Sequence, residues 1–116
     1  MGSRETHEAG LWAETLAAFA MRLRGWRVLS RRFKTPVGEI DLVLRRGRVL
    51  AFVEVKRRRC MDEALGAVTP VTAARVRRAA EWWLQRHAAL ADKCECRFDV
   101  IAIAPYASIR HVPNAF

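Results

Sequence analysis

The sequence predicts an α/β protein, a β-sheet with helices packed on it, and three observations lead there. Residues 4–23 repeat apolar side chains with a helical period. Residues 39–56 hold two strand-like runs joined by an Arg- and Gly-containing turn. "RFDVIAIAP", residues 97–105, is a nearly continuous apolar run of the kind a strand buried on both faces requires. At 116 residues the chain is expected to form one domain, residues 1–116, with enough surface to bury a core.

The elements follow in order. In the first helix Leu11, Trp12, Leu16, Phe19, Ala20 and Leu23 form the expected inward stripe, and Gly25 ends it. Arg27 to Phe33 reads as a strand, and Pro36 with Gly38 marks a turn. Residues 39–44 and 49–56 then form a hairpin through Arg45-Arg46-Gly47-Arg48. Residues 57–68 read as irregular. Thr69-Pro70 supplies an N-cap and a first-turn proline for a helix of about twenty residues, with Val76, Ala79, Ala80, Trp83 and Leu84 facing inward. The apolar strand follows, and Ile109 and Val112 suggest one more edge strand. Trp12 and Trp83 belong to core stripes, whereas Trp26 and Trp82 stay open as stacking surfaces. His7, His87 and His111 show no HNH or HxH spacing.

Composition narrows the function classes. No apolar run approaches the roughly 18 residues a bilayer span needs, and Arg4, Glu5, His7, Glu8 and Glu14 interrupt any leader-like segment. A cytoplasmic protein without a membrane partner is expected. The opening MGSRET fits the loose N-myristoylation pattern through Gly2 and Thr6, a short and weak match. Cys60, Cys94 and Cys96 fit neither a disulfide framework nor CxxC zinc spacing, so they read as reduced thiols. The 21 Lys and Arg outnumber the 12 Asp and Glu, for a formal charge of +9, and they cluster at residues 31–34, 45–48, 56–59 and 75–78. A polyanion, most simply nucleic acid, is the expected partner, although a generally Arg-rich composition would leave the same trace.

The stretch "GEIDLVLRRGRVLAFVEVKRRR", residues 38–59, concentrates the chemistry. With Leu44 facing Val49, Glu39 falls opposite Glu54 and Asp41 sits diagonal to it. Glu39, Asp41, Glu54 and Lys56 then share one face, while Ile40, Leu42, Leu44, Ala51, Val53 and Val55 share the other. Two carboxylates about 6 Å apart repel by roughly 3 kcal/mol at an effective dielectric near 20. Lys56 offsets part of this, and a divalent cation offsets more. An ion-pair ladder at the open end of the hairpin remains the competing reading. Glu14 has Gly10, Leu11, Ala17 and Ala18 as helical neighbours, an apolar surround that suits an inward acid as well as a surface one.

"GEIDLV" with Asp41, followed thirteen positions later by Glu54 in "EVK", forms a pattern that resembles the PD-(D/E)xK nucleases. More closely, "AGLWAETLAAFAMRLRGWRVLSRRFKTPVGEIDLV", "FVEVKRRR", "AVTP", "RFDVIAI" and "NAF" resemble the YraN family of bacterial endonuclease-like proteins. The resemblance implies a restriction-endonuclease-like fold, a mixed central β-sheet flanked by α-helices, similar to that of archaeal Holliday-junction resolvases. It implies a metal-dependent nuclease, with DNA favoured over RNA and structured or branched DNA one candidate substrate; the sequence itself chooses neither the nucleic acid nor its structure. Asp41 and Glu54 would hold Mg2+ or Mn2+, with the Val55 carbonyl as a further ligand. Lys56 would be the motif lysine and Glu14 the helix acid, and Arg45, Arg46, Arg48, Arg57, Arg58 and Arg59 would engage phosphates. A four-way-junction substrate would suit a homodimer. Two positions depart from the family pattern: Ala13 precedes Glu14 where glycine is usual, and Thr72-Ala73-Ala74 stand where Lys or Gln is frequent. The alternative is a nucleic-acid-binding module that keeps the fold and does not cut.

Overall fold

The computed structural model describes residues 3–116, with side chains from Gly10 onward. The Gly2-to-Thr6 motif and the side chain of His7 lie outside it. The elements are α1 (Ser3–Leu23), β1 (Arg27–Thr35), β2 (Gly38–Arg46), β3 (Val49–Arg57), α2 (Met61–Leu65), α3 (Pro70–Arg86), α4 (Ala88–Ala91), β4 (Glu95–Ala104) and β5 (Ser108–Val112). The five strands form one sheet in the order β1-β2-β3-β4-β5. β3 and β4 run parallel across the α2–α3–α4 crossover, and the other neighbours are antiparallel, so the sheet is mixed. Residues 57–68, expected to be irregular, contain α2, anchored by the fully buried Ala64.

Both faces of the sheet are covered. α1 lays Ala13, Ala17, Ala18 and Met21 on Leu42, Leu44, Ala51, Val53, Ile101 and Ile103. α3 lays Val76, Ala79, Ala80 and Trp83 on Val43, Leu50 and Phe52 of the opposite face. This two-sided burial is why β3 and β4 read as apolar runs without alternation. The α3 prediction holds in detail. Thr69 caps it by accepting from the Thr72 amide at 3.2 Å, and Pro70 occupies the first turn.

The inward stripe expected on α1 is corrected. Trp12, Phe19 and Leu23 are 55%, 58% and 74% exposed, whereas the small residues Ala13, Ala17 and Ala18 are buried. Small side chains let the helix sit close on the sheet, and Trp12, Phe19 and Leu23 then face away from it. Trp26, left open by the sequence, is buried, with the Arg46 guanidinium 4.4 Å from its ring centre. α1 ends in a Schellman motif: the Trp26 amide donates to the Met21 carbonyl at 3.0 Å and the Gly25 amide to the Arg22 carbonyl at 3.1 Å.

The hairpin register is also corrected. Arg46 faces Val49 and Leu44 faces Ala51, so the turn is the two residues Gly47-Arg48 rather than four. Gly47 takes φ +61 at the first turn position, where a two-residue hairpin loop favours glycine. The shift is two residues, so the assignment of faces survives for Leu42, Leu44, Ala51, Val53 and Val55. It fails for Ile40, which packs with the α3 cluster on the opposite face.

Candidate active site at a fork in the sheet

The β2–β3 ladder stops at Leu42 and Val53, although β2 continues paired to β1 as far as Gly38 and β3 continues paired to β4 as far as Arg57. The sheet therefore forks at the next pair, Asp41 and Glu54. Two local features open the fork. Arg32, opposite Asp41 on β1, takes a left-handed φ of +52 and breaks the regular pairing there. Gly38 presses the start of β2 against α3, where a Cβ would lie 2.6 Å from the Arg75 carbonyl oxygen. Only glycine fits that approach.

Asp41 fills the gap. The Val55 amide, which a continued ladder would send to the main chain of β2, donates instead to Asp41 Oδ2 at 2.8 Å. The N–H and C=O of one strand residue leave on the same side, so the Val55 carbonyl also points into the fork. Glu54 is partly buried alongside, and Lys56 Nζ lies 3.3 Å from Glu54 Oε1. With Leu50 and Phe52 on the α3 face, alternation puts Glu54 and Lys56 on that face too.

The electrostatics show an incompletely neutralised pair. Burial raises the Asp41 pKa, and repulsion from Glu54 adds to it, so that despite the Val55 amide it is pushed up to about 7. Burial raises Glu54 as well, opposed mainly by the Lys56 charge. Two buried carboxylates side by side resist ionising together unless a cation compensates them.

Glu14 faces inward from α1 and is 5% exposed. Burial raises its pKa, while Arg31, with Nε 3.4 Å from Oε1, acts in the other direction. Its charge is felt at Asp41, less strongly than that of Glu54. Arg31 also donates to Thr15 Oγ1 at 2.8 Å and so ties β1 to α1 beside the fork. Nothing in the sequence marked Arg31 as this partner beyond its place in a basic cluster. Glu39 stands at the rim, 4.0 Å from Arg32.

The arginine clusters separate. Arg57, Arg58 and Arg59 are exposed directly after Lys56. Arg45, Arg46 and Arg48 lie at the other end of the hairpin, roughly 13–20 Å from Glu54 at 3.3 Å per strand residue. Arg46 is occupied there by the Arg24 carbonyl at 3.2 Å and the Trp26 ring. On the α3 face a cleft of about 550 Å³ is lined by Pro70, Ala73, Val100, Arg110, Val112 and Phe116, among others. Val100 is the β4 neighbour of Glu54, so the cleft adjoins the carboxylates.

Among the described residues, no three His, Cys, Asp or Glu side chains gather into a metal cage. The donors at the fork are two carboxylates and one main-chain carbonyl. That set fits magnesium or manganese, since magnesium commonly takes one or two carboxylates and fills its remaining positions with water.

A buried network that the sequence did not reveal lies on the other side of β4. Asp99, fully buried, accepts from Arg97 at 2.9 Å, lies 2.7 Å from His111 Nε2, and accepts from the Asn114 amide at 2.9 Å. Burial alone would raise its pKa, but these hydrogen bonds outweigh it and hold the carboxyl below its usual range. The network pins β5 and the C-terminal segment, and only the isolated acid in "RFDVIAIA" hinted at it.

A mixed sheet covered on both faces, entered by an antiparallel hairpin and extended by a parallel step, with paired carboxylates where the hairpin opens, defines an α/β protein of restriction-endonuclease-like fold. The chain belongs to the "Uncharacterised protein family UPF0102", the YraN family, whose sequence profile matches residues 13–103. It is 50% identical over 113 residues to a UPF0102 protein of Methylorubrum extorquens (strain PA1), covering 97% of this chain and 88% of that one. A UPF0102 protein of Rhodopseudomonas palustris (strain ATCC BAA-98 / CGA009) is 52% identical over 107 residues, 92% of this chain and 82% of that one. One of Chelativorans sp. (strain BNC1) is 42% identical over all 116 residues and 93% of its own length.

Proposed function

We propose that this protein is a metal-dependent nuclease that hydrolyses phosphodiester bonds in DNA, acting in the cytoplasm. The observation that carries the reading is the fork: Asp41 and Glu54 stand across from each other where the β2–β3 ladder stops, with Lys56 Nζ 3.3 Å from Glu54. Such an arrangement opposes folding unless it serves another purpose.

Asp41, Glu54 and the Val55 carbonyl would hold Mg2+ or Mn2+. The ion supplies Lewis acidity toward a phosphoryl oxygen and a lowered pKa for the attacking water. The Val55 amide fixes one Asp41 oxygen at 2.8 Å and leaves the other free for this duty. Lys56, oriented by Glu54, stabilises the negative charge that develops on the phosphoryl group as the water oxygen bonds to phosphorus and the ester oxygen leaves. Arg57, Arg58 and Arg59 take up neighbouring phosphates without reading bases. Glu14 acts through its charge, and its pairing to Arg31 keeps it from being a free base.

One observation favours a binding module that does not cut. The first turn of α3 offers Thr72, whose hydroxyl lies 3.1 Å from that of Thr69, followed by Ala73 and Ala74, so it supplies no Lys or Gln to the site.

Incubation with single-stranded, duplex, flap and four-way-junction DNA and RNA, with magnesium or manganese, separates the two readings. Wild type is expected to cut at least one DNA, and Asp41→Asn and Lys56→Ala are expected to lose at least a hundredfold in rate. Binding without cutting by wild type selects the alternative. Equal cutting by wild type and both variants overturns the catalytic assignment of Asp41 and Lys56.

A further inference from the structure

We infer that the β4–β5 hairpin is the substrate-selecting element of this site, with Tyr106 at its tip stacking on an unpaired base at a branch or flap. This rests on the nuclease reading and specifies its substrate.

Because β3 and β4 are parallel, both end at the same edge of the sheet. Glu54 is level with Val100, Lys56 with Ala102 and Arg57 with Ile103, and the Arg58 amide donates to the Ile103 carbonyl at 3.1 Å. β5 returns beside β4 and sets Arg110 against Ala102. Lys56, Ala102 and Arg110 therefore form one cross-strand row. Ile109 packs on the α1 side of the sheet, so alternation puts Arg110 on the α3 face with Lys56. Arg110 is exposed about two strand spacings, or roughly 10 Å, from Lys56. A cationic path thus leads from the carboxylates across β4 to β5.

Beyond Ala104 the chain turns through Pro105-Tyr106-Ala107 before Ser108; the turn begins two residues past Ile103, whose carbonyl accepts from the amide of the exposed Arg58. Tyr106 is 102% exposed, and it enters none of the aromatic or cation–π contacts found among the described residues. Tyr106 and Ala107 both take left-handed φ, +65 and +54, at positions where glycine would be relaxed. A tight turn therefore holds an aromatic ring clear of the surface beside a run of arginines.

A free aromatic face next to cations matches the chemistry of single-strand recognition, in which bases stack and phosphates pair. Intact duplex offers no base face except at its ends, so the element discriminates for DNA with an unpaired base. Four strand residues separate Val100 from Ala104, and with the turn Tyr106 stands about 15–20 Å from the carboxylates. At about 3.4 Å per base pair, the cut falls roughly four to six nucleotides from the branch.

The test uses full-length protein carrying Asp41→Asn, so that binding is read without cutting, and a flap DNA with 2-aminopurine at the unpaired branch position. Asp41→Asn alone is expected to quench the fluorophore and to bind flap roughly tenfold more tightly than duplex. Adding Tyr106→Ala or Tyr106→Gly should abolish the quench and most of the preference, whereas Tyr106→Trp should keep both. The glycine variant relaxes the turn, so its loss of binding cannot be assigned to unfolding. Unchanged quench and preference in the Ala and Gly variants overturn the inference and leave the nuclease reading standing. Absence of DNA binding by every protein overturns both.

Discussion

Asp41 carries a pH dependence whose sign is fixed by its surroundings. Its ordinary value is 3.8, and burial with Glu54 repulsion pushes it up to about 7 in the fold. Between those values the unfolded chain releases a proton that the folded chain keeps, so stability falls as pH rises through this window. Three units correspond to about 4 kcal/mol, an upper bound because the titration of Asp41 is linked to that of Glu54. In chelator, Asp41→Asn should therefore be more stable than wild type at pH 8, with the gap shrinking by pH 4, as read from urea midpoints. A less stable variant at pH 8 would show that the carboxylate pair is already compensated. Adding magnesium should raise the wild-type melting temperature more at pH 8 than at pH 5, and should do little for the variant. Asp99 behaves oppositely: its lowered pKa contributes stability above about pH 4 that is lost as pH falls further. Asp99→Ala should cost about 3 kcal/mol or more at neutral pH, because it leaves Arg97 and His111 without their buried acceptor.

At the scale of elements, α1 distinguishes two ways of being apolar. Met21→Ala should cost about 2–5 kcal/mol, since Met21 is fully buried. Phe19→Ser, on the outward face, should change stability by about 0.5 kcal/mol or less in denaturant unfolding. The sequence could not separate these residues, because Met21 and Phe19 have similar hydropathy and the helical period admits stripes centred on either. What decides is the close approach allowed by Ala13, Ala17 and Ala18. β2 shows the same limit. Gly38→Ala should destabilise by about 1–3 kcal/mol, because the added methyl meets the α3 backbone rather than a movable side chain. Such a variant should also lose activity beyond its loss of stability, since the fork depends on where β2 begins.

Across the whole molecule, the charge that composition reported as a single number is spread over separate clusters, two of them at opposite ends of the hairpin. Replacing Arg57, Arg58 and Arg59 by Gln should abolish most cutting and reduce the salt dependence of DNA binding by about two to three units of slope. Replacing Arg45, Arg46 and Arg48 should leave the cutting rate largely unchanged, because they stand at the far end of the sheet. Equal losses from the two sets would show that the DNA spans the full length of the hairpin.

The sequence by itself determined the α/β class, the order of the main elements, the cap of α3, the buried β4 and the segment in which acids and lysine meet. These rest on local periodicity and turn chemistry, which short stretches of chain carry whole. The tertiary structure decided the rest. Whether the hairpin turned in two residues or four, how Arg32 broke the pairing and how closely α3 approached Gly38 together set the fork. Asp41 consequently lies between strands, directly across from Glu54 rather than diagonal to it, and Ile40 lies on the other face. Pairing register is a relation between distant backbones, and no side-chain pattern within one strand fixes it.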